Sequence, residues 1–170
     1  VGTFQALSLD YEDNMTRAFI RINYLNSSSP TPGSSGSGSI PVGVLQTSIE
    51  AESMRLESTL GRAEVDDGAS AQQLLKVWTN GSAFVTASIA SSNKITVRAR
   101  ADVCGVGAQM FLKIDGIELL RTLVESSDWV DYSTSSAVSS GAHSIELGFS
   151  NDDENGCDRN LYVDKIDFGN

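Results

Sequence analysis

From residue 40 onward, apolar and polar side chains alternate in short runs separated by glycine, asparagine, aspartate and serine. Alternation with a period of two puts successive side chains on opposite faces, so each run predicts a half-buried β-strand. The cleanest run spans residues 94–100, with Ile95, Val97 and Ala99 directed inward and Thr96, Arg98 and Arg100 outward. Further strands are predicted at 49–52, 74–78, 83–89, 109–114, 117–124, 129–132, 142–149 and 161–168. In the last of these, Tyr162, Asp164, Ile166 and Phe168 fall on one side and Val163, Lys165 and Asp167 on the other. Asn80-Gly81 reads as a turn, and Asp115-Gly116 as a hairpin turn. Residues 53–71 show no steady period and read as loop. No helical period competes with this pattern. About nine short strands spaced by turn signals predict an all-β fold, a two-sheet antiparallel β-sandwich of jelly-roll-like kind.

The chain before this domain has a different texture. Residues 1–26 form an N-terminal arm, or the end of a preceding domain, with one alternating run at 16–25. Residues 27–39 are a Ser/Pro/Gly linker with no apolar side chain larger than proline. Residues 40–170 are the domain proper.

The charge pattern adds a candidate chemistry. Of 170 residues, 22 are acidic and 12 basic, for a net charge of −10, which argues against nucleic-acid and anionic-membrane partners. No apolar run is long enough to span a bilayer, and the first residues show no signal peptide. The acids are clustered: residues 151–164 hold Asp152, Asp153, Glu154, Asp158 and Asp164, interrupted by glycine and asparagine. Calcium takes six to eight oxygens from carboxylates and from carbonyls that such a loop can turn inward. Asp152 and Asp158 are candidate ligands of one ion, with the Cys157 backbone carbonyl. The spacing is not that of an EF-hand, and a solvated acidic turn is the plain alternative. Glu50 and Glu52, at alternate positions of a strand, form a second acidic pair that Asp164 completes if the first and last strands pair.

Trp78, at the mouth of the Asn80-Gly81 turn, reads either as a core residue or as an exposed platform for a sugar ring; Trp129 reads as core. The single histidine, His143, reads as a turn residue. No GxSxG, HExxH, P-loop or CxxC motif is present, so the chain is expected not to be an enzyme. Cys104 and Cys157 both lie beside glycine in predicted loops. A disulfide between them would close a loop of about fifty residues and stabilise by roughly 3–4 kcal/mol; the alternative is two free thiols in a cytosolic protein. Three N-x-S/T sites, at Asn14, Asn26 and Asn80, fit a secreted, extracellular protein.

Three stretches in order resemble known modules. Ile49-Glu50-Ala51-Glu52-Ser53-Met54 is similar to an opening "EAE-x-M" strand, 95–101 to a central strand, and 151–166 to a closing metal loop and strand. Together they resemble the calcium-dependent carbohydrate-binding modules of families 36 and 60, with the wider family 6 and 35 β-sandwich group behind them. The resemblance implies a ligand-site calcium held by Asp152, the Cys157 carbonyl and Asp158, with Asp153 or Asn151 as the alternative first ligand. It implies a structural calcium at Glu50, Glu52 and Asp164, and a sugar site formed by Trp78, Asn80, Asp152 and Asp158. The expected function is non-catalytic, calcium-dependent binding of xylan or a related β-linked polysaccharide, one or two ions per chain, as a module that targets an attached enzyme. Asp66-Asp67-Gly68 has no place in that pattern. The rival expectation is an extracellular filament subunit, self-assembling through residues 1–26 by donating the 16–25 strand to a neighbour.

Overall fold

The computed structural model describes residues 47–153 and 158–170. The arm, the linker and the 16–25 strand expected from the sequence lie outside these. Among the described residues ten strands form two antiparallel sheets: β1 Ser48–Glu50, β2 Gly61–Val65, β3 Gln73–Val77, β4 Gly81–Ile89, β5 Lys94–Ala101, β6 Ala108–Ile114, β7 Ile117–Val124, β8 Val130–Thr134, β9 Gly141–Phe149 and β10 Leu161–Gly169. The larger sheet runs β2-β3-β10-β5-β8, with β1 also on β10, and the smaller runs β4-β9-β6-β7. The expected sandwich is therefore present. Its core is the inward face of each sheet, including Ile95, Val97 and Ala99 of β5, Leu112 of β6 and Leu147 of β9. The Asp115-Gly116 hairpin joins β6 to β7, with both residues in left-handed backbone (φ 52 and 80), the pair of positive angles that suits the twist of a two-residue hairpin.

Four local expectations are corrected. Residues 53–71 are not all loop, since β2 runs through them. Its sequence, Gly-Arg-Ala-Glu-Val, lacks clean alternation because it is an edge strand with little buried on either side. Gly61 is required there, since a Cβ would sit 2.0 Å from the Lys76 carbonyl oxygen. Second, β10 does not keep one phase. Leu161 and Val163 face the core, and so do Ile166 and Phe168. The register against β5 shifts between Val163 and Lys165, so a bulge at Asp164 changes the phase by one residue. At the same point β10 exchanges its other neighbour, pairing with β3 through Leu161–Val163 and with β1 through Lys165–Asp167.

Third, Trp129 is absent from the core cluster. It lies on the outer face of the larger sheet, with the guanidinium carbons of Arg98 and Arg100 at 5.3 and 5.1 Å from its ring centre. His143 is likewise no turn residue. It sits in β9, where its Nδ1 is 2.6 Å from Asp115 Oδ2 and its Nε2 is 3.0 Å from the Ser139 carbonyl, so it buttresses the β6–β7 hairpin.

Candidate functional site

The two acidic clusters are built differently. At the first, Glu50 ends β1, but Glu52 is not on a strand face beside it. It lies in a 3-10 turn, Ala51–Ser53, closed by the Met54 amide donating to the Ala51 carbonyl at 3.0 Å. Ser53 Oγ donates to the Glu50 carbonyl at 2.6 Å and takes up the bond a continuing strand would have used. The pairing of β1 with β10, with Glu50 opposite Lys165, then brings Glu50 next to the Asp164 bulge. Asp164 has no exposed surface. Its Oδ2 accepts from Arg98 Nη1 at 2.5 Å, and its Oδ1 accepts from the Ser70 amide at 2.7 Å and the Ser70 hydroxyl at 2.6 Å. Ser70 Oγ is also 2.5 Å from Glu50 Oε2, so one hydroxyl bridges two of the three carboxylates.

The segment after β2 therefore has a role that the sequence reading could not assign. Asp66 binds Arg100 Nη2 at 2.8 Å, the Gly68 carbonyl accepts from Arg98 Nη2 at 3.2 Å, and Ser70 reaches Asp164. Asp66 is held below the usual carboxylate range, first by the Gly68 amide and then by Arg100. Ala71 and Gln72 take left-handed backbone (φ 51 and 59), which side-chain-bearing residues seldom adopt. The turn folds back over the outer face of the larger sheet and supplies the donors that Asp164 requires.

Glu52 stays short of partners. Its Oε2 is buried with no hydrogen bond. Its pKa is raised, chiefly by burial and further by the charges of Glu50 and Asp164, against a backbone hydrogen bond that lowers it. Arg98 pairs with Asp164, while Glu50 and Glu52 have no cationic partner among the described residues, which leaves two negative charges that one divalent cation would balance. A raised folded-state pKa means that Glu52 binds its proton more tightly folded than unfolded, so its contribution to stability falls as pH rises above the ordinary carboxylate range. In chelator, Glu52→Gln is expected to be more stable than the wild type at pH 7, with the gap closing as pH falls to that range. Thermal melts across the series check this, and a Glu52→Gln variant that is less stable in chelator at pH 7 would refute it.

The second cluster lies at one end of the sandwich. Asn151 anchors the start of the acidic loop, accepting from the Gln109 amide at 2.5 Å and donating to the Gly107 carbonyl at 2.9 Å. The Asp152 amide donates to Asn80 Oδ1 at 2.9 Å, which ties the loop to the turn carrying Trp78. Asp152 Oδ1 is buried without a partner. Asp153 instead accepts from Arg159 Nη2 at 3.1 Å, and Arg159 Nη1 also donates to the Asn151 carbonyl. Asp158 Oδ2 accepts from Asn160 Nδ2 at 3.0 Å, and the same amide donates to Asp102 at 3.0 Å. Tyr162 donates to Asp102 at 2.8 Å; burial, with the hydrogen bond and charge of Asp102, pushes the phenol upward. Trp78 is half-buried and absent from the core cluster, and its indole N–H donates to the Thr59 carbonyl at 3.0 Å. Cys157 lies outside the described residues; among those described no cysteine is free.

Trp78, Asn80 and Asp152 are thus brought together, and Asp158 joins the same end through Asn160. Sequence reasoning missed Asn160, Asp102 and Arg159. Asn160 sits two residues from Asp158 and Tyr162 in the motif already singled out, but its burial and its bond to Asp102 depend on β5 lying alongside. Among the described residues no three acidic, histidine or cysteine side chains are placed to hold a metal ion by themselves, so any ion would also draw on carbonyl, amide or water oxygens. Of the buried side-chain atoms without a partner in that set, two are carboxylate oxygens, Glu52 Oε2 and Asp152 Oδ1. One belongs to each cluster. A buried carboxylate oxygen without a donor is costly, and a hard cation is the partner that suits it.

Comparison with known proteins agrees with this picture. Residues 94–170, a little under half of the chain, match the profile of carbohydrate-binding module family 60, described as calcium-dependent and xylan-binding. No curated protein is a significant match. Among solved structures, a family 36 carbohydrate-binding module in complex with calcium and xylotriose superposes with a TM-score of 0.56 at 21% identity, covering 73% of this chain and 100% of that one. A family 36 domain of a multidomain xylanase from the hindgut metagenome of Trinervitermes trinervoides gives 0.60 at 19% identity, covering 73% and 96%. An arabinoxylan arabinofuranohydrolase of glycoside hydrolase family 43 from Bacillus subtilis gives 0.56 at 16% identity, covering 78% of this chain but 29% of the enzyme. At these identities the structures share the fold. The chain resembles the calcium-dependent carbohydrate-binding modules of families 60 and 36, by sequence over residues 94–170 and by fold across the sandwich.

Proposed function

We propose that residues 40–170 are a non-catalytic module that binds xylan, or a related β-linked polysaccharide, through calcium. The observation that carries this reading is the pair of buried, partnerless carboxylate oxygens, one in each acidic cluster. Glu50, Glu52 and Asp164, completed by carbonyl or water oxygens, would hold a structural ion. Asp152, the Cys157 carbonyl and Asp158 would hold the ion of the sugar site. Asp152 is favoured over Asp153 as first ligand because Arg159 already engages Asp153. A disulfide between Cys104 and Cys157, supported by the absence of a free thiol at Cys104, would fix that carbonyl.

Neutral sugars bind weakly because water competes for each hydroxyl. An ion with open coordination positions exchanges waters for a vicinal pair of hydroxyls, and Trp78 offers an apolar surface to the ring. The Asn80–Asp152 bond keeps the platform and the acidic loop in register. The similar fold within the larger arabinofuranohydrolase supports attachment to an enzyme, and with it an extracellular setting. Calorimetry of the chain with xylo-oligosaccharides tests the proposal. Binding in the micromolar to millimolar range, roughly −8 to −4 kcal/mol, is expected with calcium and none in EDTA. Binding that persists in EDTA, or no binding in either buffer, would sink it.

A further inference from the structure

The outer face of the larger sheet carries a row of side chains set by register. Arg62 of β2 lies opposite Lys76 of β3, and Lys76 lies opposite Tyr162 of β10. Lys76 Nζ is 5.3 Å from the Tyr162 ring centre, and the Arg62 guanidinium carbon is 5.9 Å from that of Trp78. Trp78 directly follows β3, and the Arg62 guanidinium over its ring puts it on the same side as Lys76. Two cations directly opposite on neighbouring strands repel each other, so their placement beside the proposed sugar platform calls for an explanation.

The nearby cations of this face, Arg98 and Arg100, are already committed. Arg98 is bound by Asp164 and the Gly68 carbonyl, and Arg100 by Asp66. Lys76 makes no hydrogen bond or ion pair with any described residue. Among the described residues Arg62 has one ion-pair partner, Glu64, two places along its own strand, beside its contact with the Trp78 ring, and its side chain is 69% exposed. An exposed pair of this kind is weak and readily exchanged. Arg62 and Lys76 are therefore available to an outside anion, in a chain whose net charge of −10 would otherwise repel one.

We propose that Arg62 and Lys76 form an anion-accepting rim beside Trp78, and that the module prefers glycans bearing uronic acid side groups. This rests on the polysaccharide-binding reading above. A pyranose stacked on Trp78 places a side group projecting toward β2 and β3 within reach of both cations. A guanidinium takes a carboxylate through two parallel hydrogen bonds, and the ammonium adds a point charge. The carboxylate contact is solvent-exposed, so it tunes selectivity and leaves the ion-mediated contact to supply most of the affinity.

The test uses the full chain in saturating calcium with two ligands of equal backbone length, a neutral xylo-oligosaccharide and one bearing a single uronic acid side group. The charged ligand is expected to bind about three- to ten-fold tighter at low salt. The advantage should vanish near 0.5 M sodium chloride, where the screening length falls to about 4 Å. In Arg62→Gln/Lys76→Gln the advantage should be lost while neutral-ligand affinity stays within about two-fold. Equal affinity of the wild type for both ligands would overturn the proposal and leave the calcium-dependent module standing. An advantage that survives the double variant would overturn it too, since the ion would then be reading the carboxylate. So would equal loss of both ligands in the variant, which would make the two cations supports of the platform. The salt series on the wild type decides the matter if the double variant fails to fold, and a chain that binds neither ligand refutes the module reading itself.

Discussion

Replacing Asp164 with alanine is expected to destabilise the domain by about 3 kcal/mol, near the lower end of the cost of breaking a buried ion pair, because Arg98 is 31% exposed and can recover some hydration. The loss has two sources. Arg98 keeps its charge with the Gly68 carbonyl and the Trp129 ring beside it but no carboxylate, and the Ser70 amide and hydroxyl lose their shared acceptor. The left-handed backbone at Ala71 and Gln72 would then be held less firmly, so the turn over the outer face should open. Asp164→Asn keeps an acceptor for Ser70 and should cost less. Urea denaturation of the two variants in chelator measures both, and a midpoint for Asp164→Ala equal to the wild type would refute the assignment. In excess calcium the wild type should gain more stability than either variant, because a ligand that binds only the folded state stabilises it by mass action.

Asp152→Ala is expected to weaken calcium-dependent binding of xylo-oligosaccharides by at least about 100-fold, or ~2.7 kcal/mol, the scale of losing a charged ligand to a shared ion. Stability should change little, because the Asp152 backbone amide still reaches Asn80 and its side-chain Oδ1 has no partner to lose. Asp153→Ala is the control. Its carboxylate meets Arg159, so its removal should affect the order of the loop more than the ion, with a smaller loss of affinity. An Asp152→Ala chain that binds within three-fold of the wild type, or an Asp153→Ala chain that loses more than Asp152→Ala, would show that the first ligand has been misassigned. Calorimetry at fixed calcium distinguishes these outcomes.

Much of the fold was legible because strand pattern is local. Ile95, Val97 and Ala99 alternate with polar residues, and nothing distant is needed to place them inward. The Asp115-Gly116 hairpin was legible because few residue pairs accept two positive φ angles in succession. The acidic loop and the Glu50/Glu52 pair stood out because clustered carboxylates repel one another, and that clustering is what the calcium proposal starts from. Trp129 misled the reading, since an aromatic in an alternating run looks like core. What places it on the surface is the pair Arg98 and Arg100, about thirty residues earlier in the chain and brought beside it by β5.

By itself, then, the sequence determined the strands, their inward faces in the regular runs and the main hairpin. Each follows from steric and solvation preferences that act within a few residues. Only the tertiary structure decided the rest. The Asp164 bulge exists because β10 gives up β3 and takes β1 at that point. Ser70 completes the Glu50–Asp164 cluster because the turn after β2 folds back across the sheet. Asn160 joins Asp158 to Asp102 because β10 and β5 are neighbours. A hydrogen bond or an ion pair is set by a separation of a few ångströms, and sequence order says nothing of that separation until the sheets have formed.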